Sequence, residues 1–134
     1  MAYRIQQINP NDLNNRRYIG VGIPFNQPEV FRRTFTTKDA IKSNIINFLL
    51  TEQGDRFFNN QFGSGLRNFL FEQLTDQTDT DIESYMVNQL SSAFPTVIIE
   101  EVDIDFNEDS NRIHISFTFL YQNSGERDTV ELTI

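Results

Sequence analysis

The sequence contains no cysteine and no tryptophan, and His114 is its single histidine. Without thiols, disulfides, thiolate metal ligands and cysteine nucleophiles are excluded together, and synthesis in a reducing cytoplasm is the expectation. One histidine between Arg112 and Ser116 has no second imidazole with which to hold a metal, so it reads as a surface residue. No G-x-S-x-G stretch supports a nucleophile–base triad, and FGSGL has too few glycines for a phosphate loop and lacks a preceding strand. Long apolar runs are also missing. The longest, Ile45–Leu50, includes Asn47 and falls far short of the roughly 18 residues a membrane span needs. The opening MAYRIQQINPNDLNN has no apolar stretch after its charge and does not read as a signal peptide. No internal repeat, low-complexity tract or Pro/Gly linker divides the chain.

What is present is a phenylalanine-rich chain of 134 residues, the size of one domain, with 13 Phe and 4 Tyr. Its net charge of −8 is polarised. Residues 1–36 carry five Arg against Asp12 and Glu29, while residues 72–134 carry fourteen carboxylates against Arg112 and Arg127. Such asymmetry suits association with a second copy or a polarised partner, or simply a solvated acidic surface. Nucleic acid is disfavoured, because phosphate contacts need basic residues that only the head supplies.

Residues 1–36 lack sustained periodicity and hold Pro10, Gly20, Gly22, Pro24 and Pro28. They read as an extended N-terminal arm, with GVGIPF as a short strand or a turn and Arg16, Arg17, Arg32 and Arg33 on the surface. Residues 37–134 read as one α+β domain. TTKDAIKSNIINFLL has helical spacing at Ile41, Ile45, Phe48 and Leu49, with Thr36 or Thr37 as N-cap, Asp39 in the first turn and Gly54 as left-handed C-cap. A second helix is expected over Ser64–Leu74, with Leu66, Leu70 and Leu74 one turn apart. A third, Thr78–Phe94, is expected to open in the capping box Thr80-x-x-Glu83, carry Ile82, Met86, Leu90 and Ala93 inward, and stop at Pro95.

The period then changes to two. Val102, Ile104 and Phe106 alternate with acids; Ile113, Ile115, Phe117, Phe119 and Tyr121 alternate with polar residues; Val130, Leu132 and Ile134 do the same. This predicts a three-stranded antiparallel C-terminal sheet with about three helices packed on one face and the other face wet. The last strand, Arg127, Asp128, Thr129, Val130, Glu131, Leu132, Thr133 and Ile134, has no proline to blunt it. It is an edge open to strand addition unless the N-terminal arm covers it.

The connector TEQGDRFFNNQFGSG is polar except for Phe57, Phe58 and Phe62. Either these rings anchor the connector in the chain's own core, or they present aromatic surface to something else. Glu52, Asp55 and Glu72 flank it as the remaining catalytic candidates, a carboxylate pair for glycoside hydrolysis; the competing reading has them solvated or paired with Arg56 or Arg67. DIDFNEDS lacks the glycine and closing glutamate of a calcium loop.

The stretch LLTEQGDRFFNNQFGSGLRNFLFE resembles the signature of the baseplate wedge proteins of contractile-tailed phages, a sheath-initiator family historically labelled lysozyme-like, with counterparts in tailocins and in the type VI secretion baseplate. Leu49, Leu50, Thr51, Gly54 and Arg56 match the first part of the pattern, Phe62, Gly63 and Leu66 the second, and Leu70, Phe71 and Glu72 the third. GVGIPF is similar to the family's Gly-x-Gly-x-Pro-Phe, and the helix with Ile82 and the following Pro95 also match. One departure is that Phe94, Pro95 and Thr96 stand where the family often has Glu-Pro-Arg, so both docking charges are missing. The resemblance implies a structural subunit with no catalytic residue, metal or cofactor, located in the virion tail baseplate and present in multiple copies. Gly54, Arg56, Phe62, Gly63, Leu66, Leu70, Phe71, Glu72, Phe94 and Pro95 are then its wedge-core contact. Its partners are other wedge proteins and the tail sheath, whose arms pair with Arg127–Ile134, with no nucleic acid and no membrane. The alternative implied by the family label is a cell-wall glycan hydrolase.

Overall fold

A computed structural model of the chain describes residues 8–14, 16–23, 32–69, 76–107, 110 and 112–133. Helix α1 (Thr37–Leu50) begins as its sequence dictates. Thr36 is extended; its hydroxyl accepts the Asp39 N–H at 3.3 Å and donates to Asp39 Oδ2 at 2.8 Å. This satisfies a first-turn donor and sets a carboxylate at the positive end of the helix dipole. Ala40, Ser43, Ile45, Phe48 and Leu49 form the buried stripe. The far end departs from expectation. Thr51, in extended backbone, closes the helix: its N–H reaches the Asn47 and Phe48 carbonyls and its hydroxyl donates to Asn47 O at 2.6 Å. Gly54 has φ +98° but lies further along, so it turns the connector rather than capping α1.

Helix α2 (Leu66–Phe69) lies within the second expected helix; Leu70, Phe71, Glu72 and Leu74 lie outside the described residues. Helix α3 runs Asp76–Ala93. It therefore starts four residues before Thr80, and the Thr80-x-x-Glu83 capping box sits inside the helix instead of opening it. No Gly or Pro precedes Thr80 in the helix to break the extra turn. Ile82, Met86 and Leu90 are buried, whereas Ala93 is exposed, ending the apolar stripe one turn early.

Strands β1 (Gly20–Gly22) and β2 (Arg32–Thr34) pair antiparallel, Gly20 facing Thr34, and pack against α1. A 3-10 turn at Pro10–Leu13 precedes them, and Asp12 Oδ1 accepts both the N–H and the hydroxyl of Thr37 at 2.8 and 2.7 Å. The 3-10 turn is thus fastened to the start of α1. GVG proves to be a strand, whose partner at Arg32–Thr34 no local pattern announced.

β3 (Val97–Asn107), β4 (Arg112–Tyr121) and β5 (Arg127–Thr133) form the expected antiparallel meander in the order β3-β4-β5. β4 alternates strictly, burying Ile113, Ile115, Phe117, Phe119 and Tyr121. β3 contains a feature the alternation alone did not give. Ile99 pairs with Phe119 and Glu101 with Thr118, leaving Glu100 as an extra, bulged residue. The bulge resets the phase, so that Val97 and Ile99 before it and Val102 and Ile104 after it all face the core. Glu100 meets Arg127 on the wet face, Oε2 to Nε 2.7 Å, a link from β3 to β5 across β4. The core joins Ile45, Phe48 and Leu49 of α1, Leu66 of α2, and Ile82, Met86 and Leu90 of α3 to the apolar face of the sheet. Each such side chain contributes about 1.5–3 kcal/mol by leaving water.

Candidate docking surfaces

The connector between α1 and α2 is built by its own backbone. Gly54 N–H donates to Asn60 O at 3.0 Å, Phe62 N–H to Asn59 O at 3.1 Å, and Ser64 N–H to Thr51 O at 3.0 Å. The buried Ser64 hydroxyl donates to Leu49 O at 2.7 Å, taking one of the carbonyls that the end of α1 leaves without a helical partner. Gly63 (φ +128°) lies so close to this crossing that a Cβ would stand 2.6 Å from Thr51 O. Only glycine fits both the dihedral and the gap.

The three connector phenylalanines divide. Phe62 packs edge-on against Phe48 at 5.2 Å, and the Arg56 guanidinium lies 3.7 Å from the Phe62 ring centre. Phe57 and Phe58, unlike Phe62, do not anchor the connector in the core. They are 88% and 97% exposed and contact each other edge-to-face at 5.2 Å. The turns that close the loop at Gly54 and Gly63 hold residues 56–59 at its tip, away from the core. Two adjacent phenylalanines in water make an apolar patch on a preformed loop, the kind of feature that marks a contact site.

Phe94 also packs edge-on against Phe48, with ring centres 5.8 Å apart. Phe48, unremarked in the motif, therefore joins Phe62 and Phe94 in one aromatic cluster beside Leu66. Pro95 is exposed in the turn into β3. Gly54, Arg56, Phe62 and Gly63 thus sit in the connector, the buried Leu66 opens α2, and Phe94 and Pro95 lie in the turn after α3, whereas Leu70, Phe71 and Glu72 lie outside the described residues.

The second surface is β5. Its backbone pairs with β4 from Arg127–Leu120 to Thr133–His114, and the strand order leaves its other edge without a partner among the described residues. The N-terminal strands pair with each other instead. Asp128, Val130 and Leu132 point inward; Arg127, Thr129, Glu131 and Thr133 are on the wet face; Ile134 lies outside the described residues. Cross-strand hydroxyl contacts, Thr118 to Thr129 at 3.2 Å and His114 Nδ1 to Thr133 Oγ1 at 3.0 Å, stiffen that face. His114 is exposed, as its position in the alternation requires.

Of the catalytic candidates, Glu52 and Asp55 are described. Glu52 pairs with Arg67 at 3.6 Å, Asp55 is exposed and accepts the Glu52 N–H at 3.4 Å, and Glu72 lies outside the described residues. Among the described residues no group of His, Asp or Glu is placed to hold a metal ion, and no helix is long and apolar enough to cross a membrane.

No protein-family profile and no curated protein matches the sequence. Solved structures that share the fold include the following two. One is a provisionally named tail lysozyme from Geobacter sulfurreducens, with a TM-score of 0.67 at 20% identity, covering 74% of this chain and 90% of that one. The other is a chain of the anti-feeding prophage baseplate, with a TM-score of 0.53 at 18% identity, covering 80% of this chain and 75% of that one.

Proposed function

We propose that this chain is a structural wedge subunit of a contractile-tail baseplate, which docks on other wedge proteins and initiates sheath polymerisation by accepting a partner strand at β5. The observation that carries the reading is the outer edge of β5, unpartnered among the described residues, on a fold shared with a baseplate chain and in a sequence with the wedge signature. A strand laid along this seven-residue edge supplies main-chain hydrogen bonds worth about 0.5–1.5 kcal/mol each, independent of side-chain identity. The first partner so added presents a new edge to the next, and that repetition is what a polymer initiator needs.

Docking falls to the other end of the α1–α2 unit. The Phe57–Phe58 tip offers the buried-anchor chemistry of an interface hot spot, on a loop whose turns are already formed, so little ordering entropy is lost on contact. Where the family has charges after its third helix, this chain has a half-buried Phe94 packed against Phe48 and an exposed Thr96, so ion pairing at this point is replaced by what apolar surface Phe94 leaves exposed. The protein works in multiple copies within the tail of the virion, without cofactor or catalysis. Purified chain is accordingly expected to leave peptidoglycan intact across acidic to neutral pH; steady hydrolysis would favour the glycan-hydrolase alternative.

Electron cryomicroscopy of the assembled particle tests the proposal directly. A strand of the first sheath ring beside Arg127–Thr133 is the expected result. A β5 edge covered by the chain's own N-terminal residues would remove the templating mechanism.

A further inference from the structure

Where β5 begins, four segments distant in sequence, Thr96 of the turn before β3 among them, line a half-open cavity of about 760 Å³, within the size range of ligand pockets. The 3-10 segment contributes Ile8, Pro10 and Asp12; the first turns of α1 contribute Asp39 and Ile41; Glu126 and Asp128 enter from β5 and the turn before it. Tyr121 lines it too, its buried hydroxyl shared between Lys38 O at 3.2 Å and Asp128 Oδ2 at 3.4 Å.

Its charge balance is one-sided. Four carboxylates line it (Asp12, Asp39, Glu126 and Asp128) against the single ammonium of Lys38, which is ion-paired to Glu126. Lys42, outside the lining, bonds Asp128 at 3.0 Å, and the excess remains negative. The start of α1 does not convert it into an anion site. The Thr37 and Asp39 N–H groups are already taken, by Asp12 Oδ1 and Thr36 Oγ1. What the cavity complements is a cation on an apolar stem, with Ile8, Pro10 and Ile41 for the methylenes and carboxylates for the head.

We infer that this cavity is the specificity pocket of the β5 edge: it receives a Lys or Arg side chain of the extended partner segment that pairs with β5. The inference rests on the strand-addition reading above and adds to it a chemical requirement on the partner. Main-chain pairing along β5 is indifferent to sequence, so selection needs a side-chain pocket at a fixed point of the edge, and Asp128 belongs to both strand and cavity.

The probes are a short alternating Val–Thr peptide with Arg at each end, and the same peptide with Glu at each end. They are titrated into the labelled full chain and followed by backbone NMR. The Arg peptide is expected to shift Ile41, Tyr121 and Asp128 together with Thr129–Thr133, and to bind about tenfold more tightly than the Glu peptide. The Asp39→Asn/Glu126→Gln variant is expected to bind the Arg peptide about fivefold more weakly and the Glu peptide no more weakly than the parent does. Equal affinities with shifts confined to β5 would overturn the pocket and leave strand addition standing. Shifts at the cavity without β5, or none at either place, would overturn both. Arg-peptide binding at the cavity only after removal of residues 1–7 would assign it to the chain itself and overturn the inference.

Discussion

Gly63→Ala isolates how tightly the connector is locked to the end of α1. The new Cβ would stand 2.6 Å from Thr51 O, 2.7 Å from Glu52 C and 2.8 Å from Glu52 O, all backbone atoms that no rotamer change can move. Ordinary carbon–oxygen contacts begin near 3.3 Å, so the segment must shift by several tenths of an ångström. That shift strains the Ser64–Thr51 and Ser64–Leu49 hydrogen bonds. Overpacking costs about 1–3 kcal/mol, the positive φ about 1–2 kcal/mol, and a weakened buried hydrogen bond about 1 kcal/mol. Because these overlap, a total near 4 kcal/mol is expected, a large share of the roughly 5–15 kcal/mol that holds a domain folded. Gly54→Ala is the internal control. Its φ of +98° imposes the dihedral strain, but nothing lies within 4 Å of the added Cβ, so about 1–2 kcal/mol is expected. Urea unfolding of both variants, followed by circular dichroism, measures the difference. Gly63→Ala unfolding at the same urea concentration as Gly54→Ala would refute the close-packed crossing.

Three further predictions concern separate parts of the molecule. Phe57→Ser/Phe58→Ser removes two exposed rings, so each change should alter stability by no more than about 0.5 kcal/mol while incorporation into assembled tails falls; unchanged incorporation, measured on purified particles, would dismiss the tip as an anchor. Thr34 is 2% exposed and its hydroxyl has no partner among the described residues, so Thr34→Val should raise the urea midpoint, by about 1 kcal/mol of stability. Burial, then the charge of Asp128, holds the Tyr121 phenol well above its ordinary value of 10.0. The folded chain therefore keeps a proton that the unfolded chain releases, so this contribution is present below about pH 10 and is lost as pH rises beyond it. Tyr121→Phe should cost about 1 kcal/mol at neutral pH and flatten the alkaline decline, read from thermal midpoints between about pH 8 and 11.

The apolar alternation from Ile113 to Tyr121 determined β4, and with it the inward face of the meander, because a period of two has one pleated solution. Thr36 with Asp39 determined the start of α1 for an equally local reason: the cap and its partner are three residues apart. The α3 start was misjudged because a capping box is a preference that a few more helical residues can override. Strand β2 was illegible because its reason for being a strand lies fourteen residues back, at Gly20.

The candidate surfaces divide in the same way. The signature residues and the last strand itself could be read from the chain, since glycine spacing and alternation are local properties; what lies along that strand's outer edge could not. Whether a phenylalanine is anchor or bait could not: Phe57, Phe58 and Phe62 are one residue type within six positions, and only the turns at Gly54 and Gly63 decide which ring meets Phe48 and which two meet water. The cavity beside β5 belongs wholly to the tertiary structure. Asp12, Asp39 and Asp128 come together because α1 crosses the start of β5 and the 3-10 turn is tied to Thr37, and electrostatic complementarity is a property of that convergence.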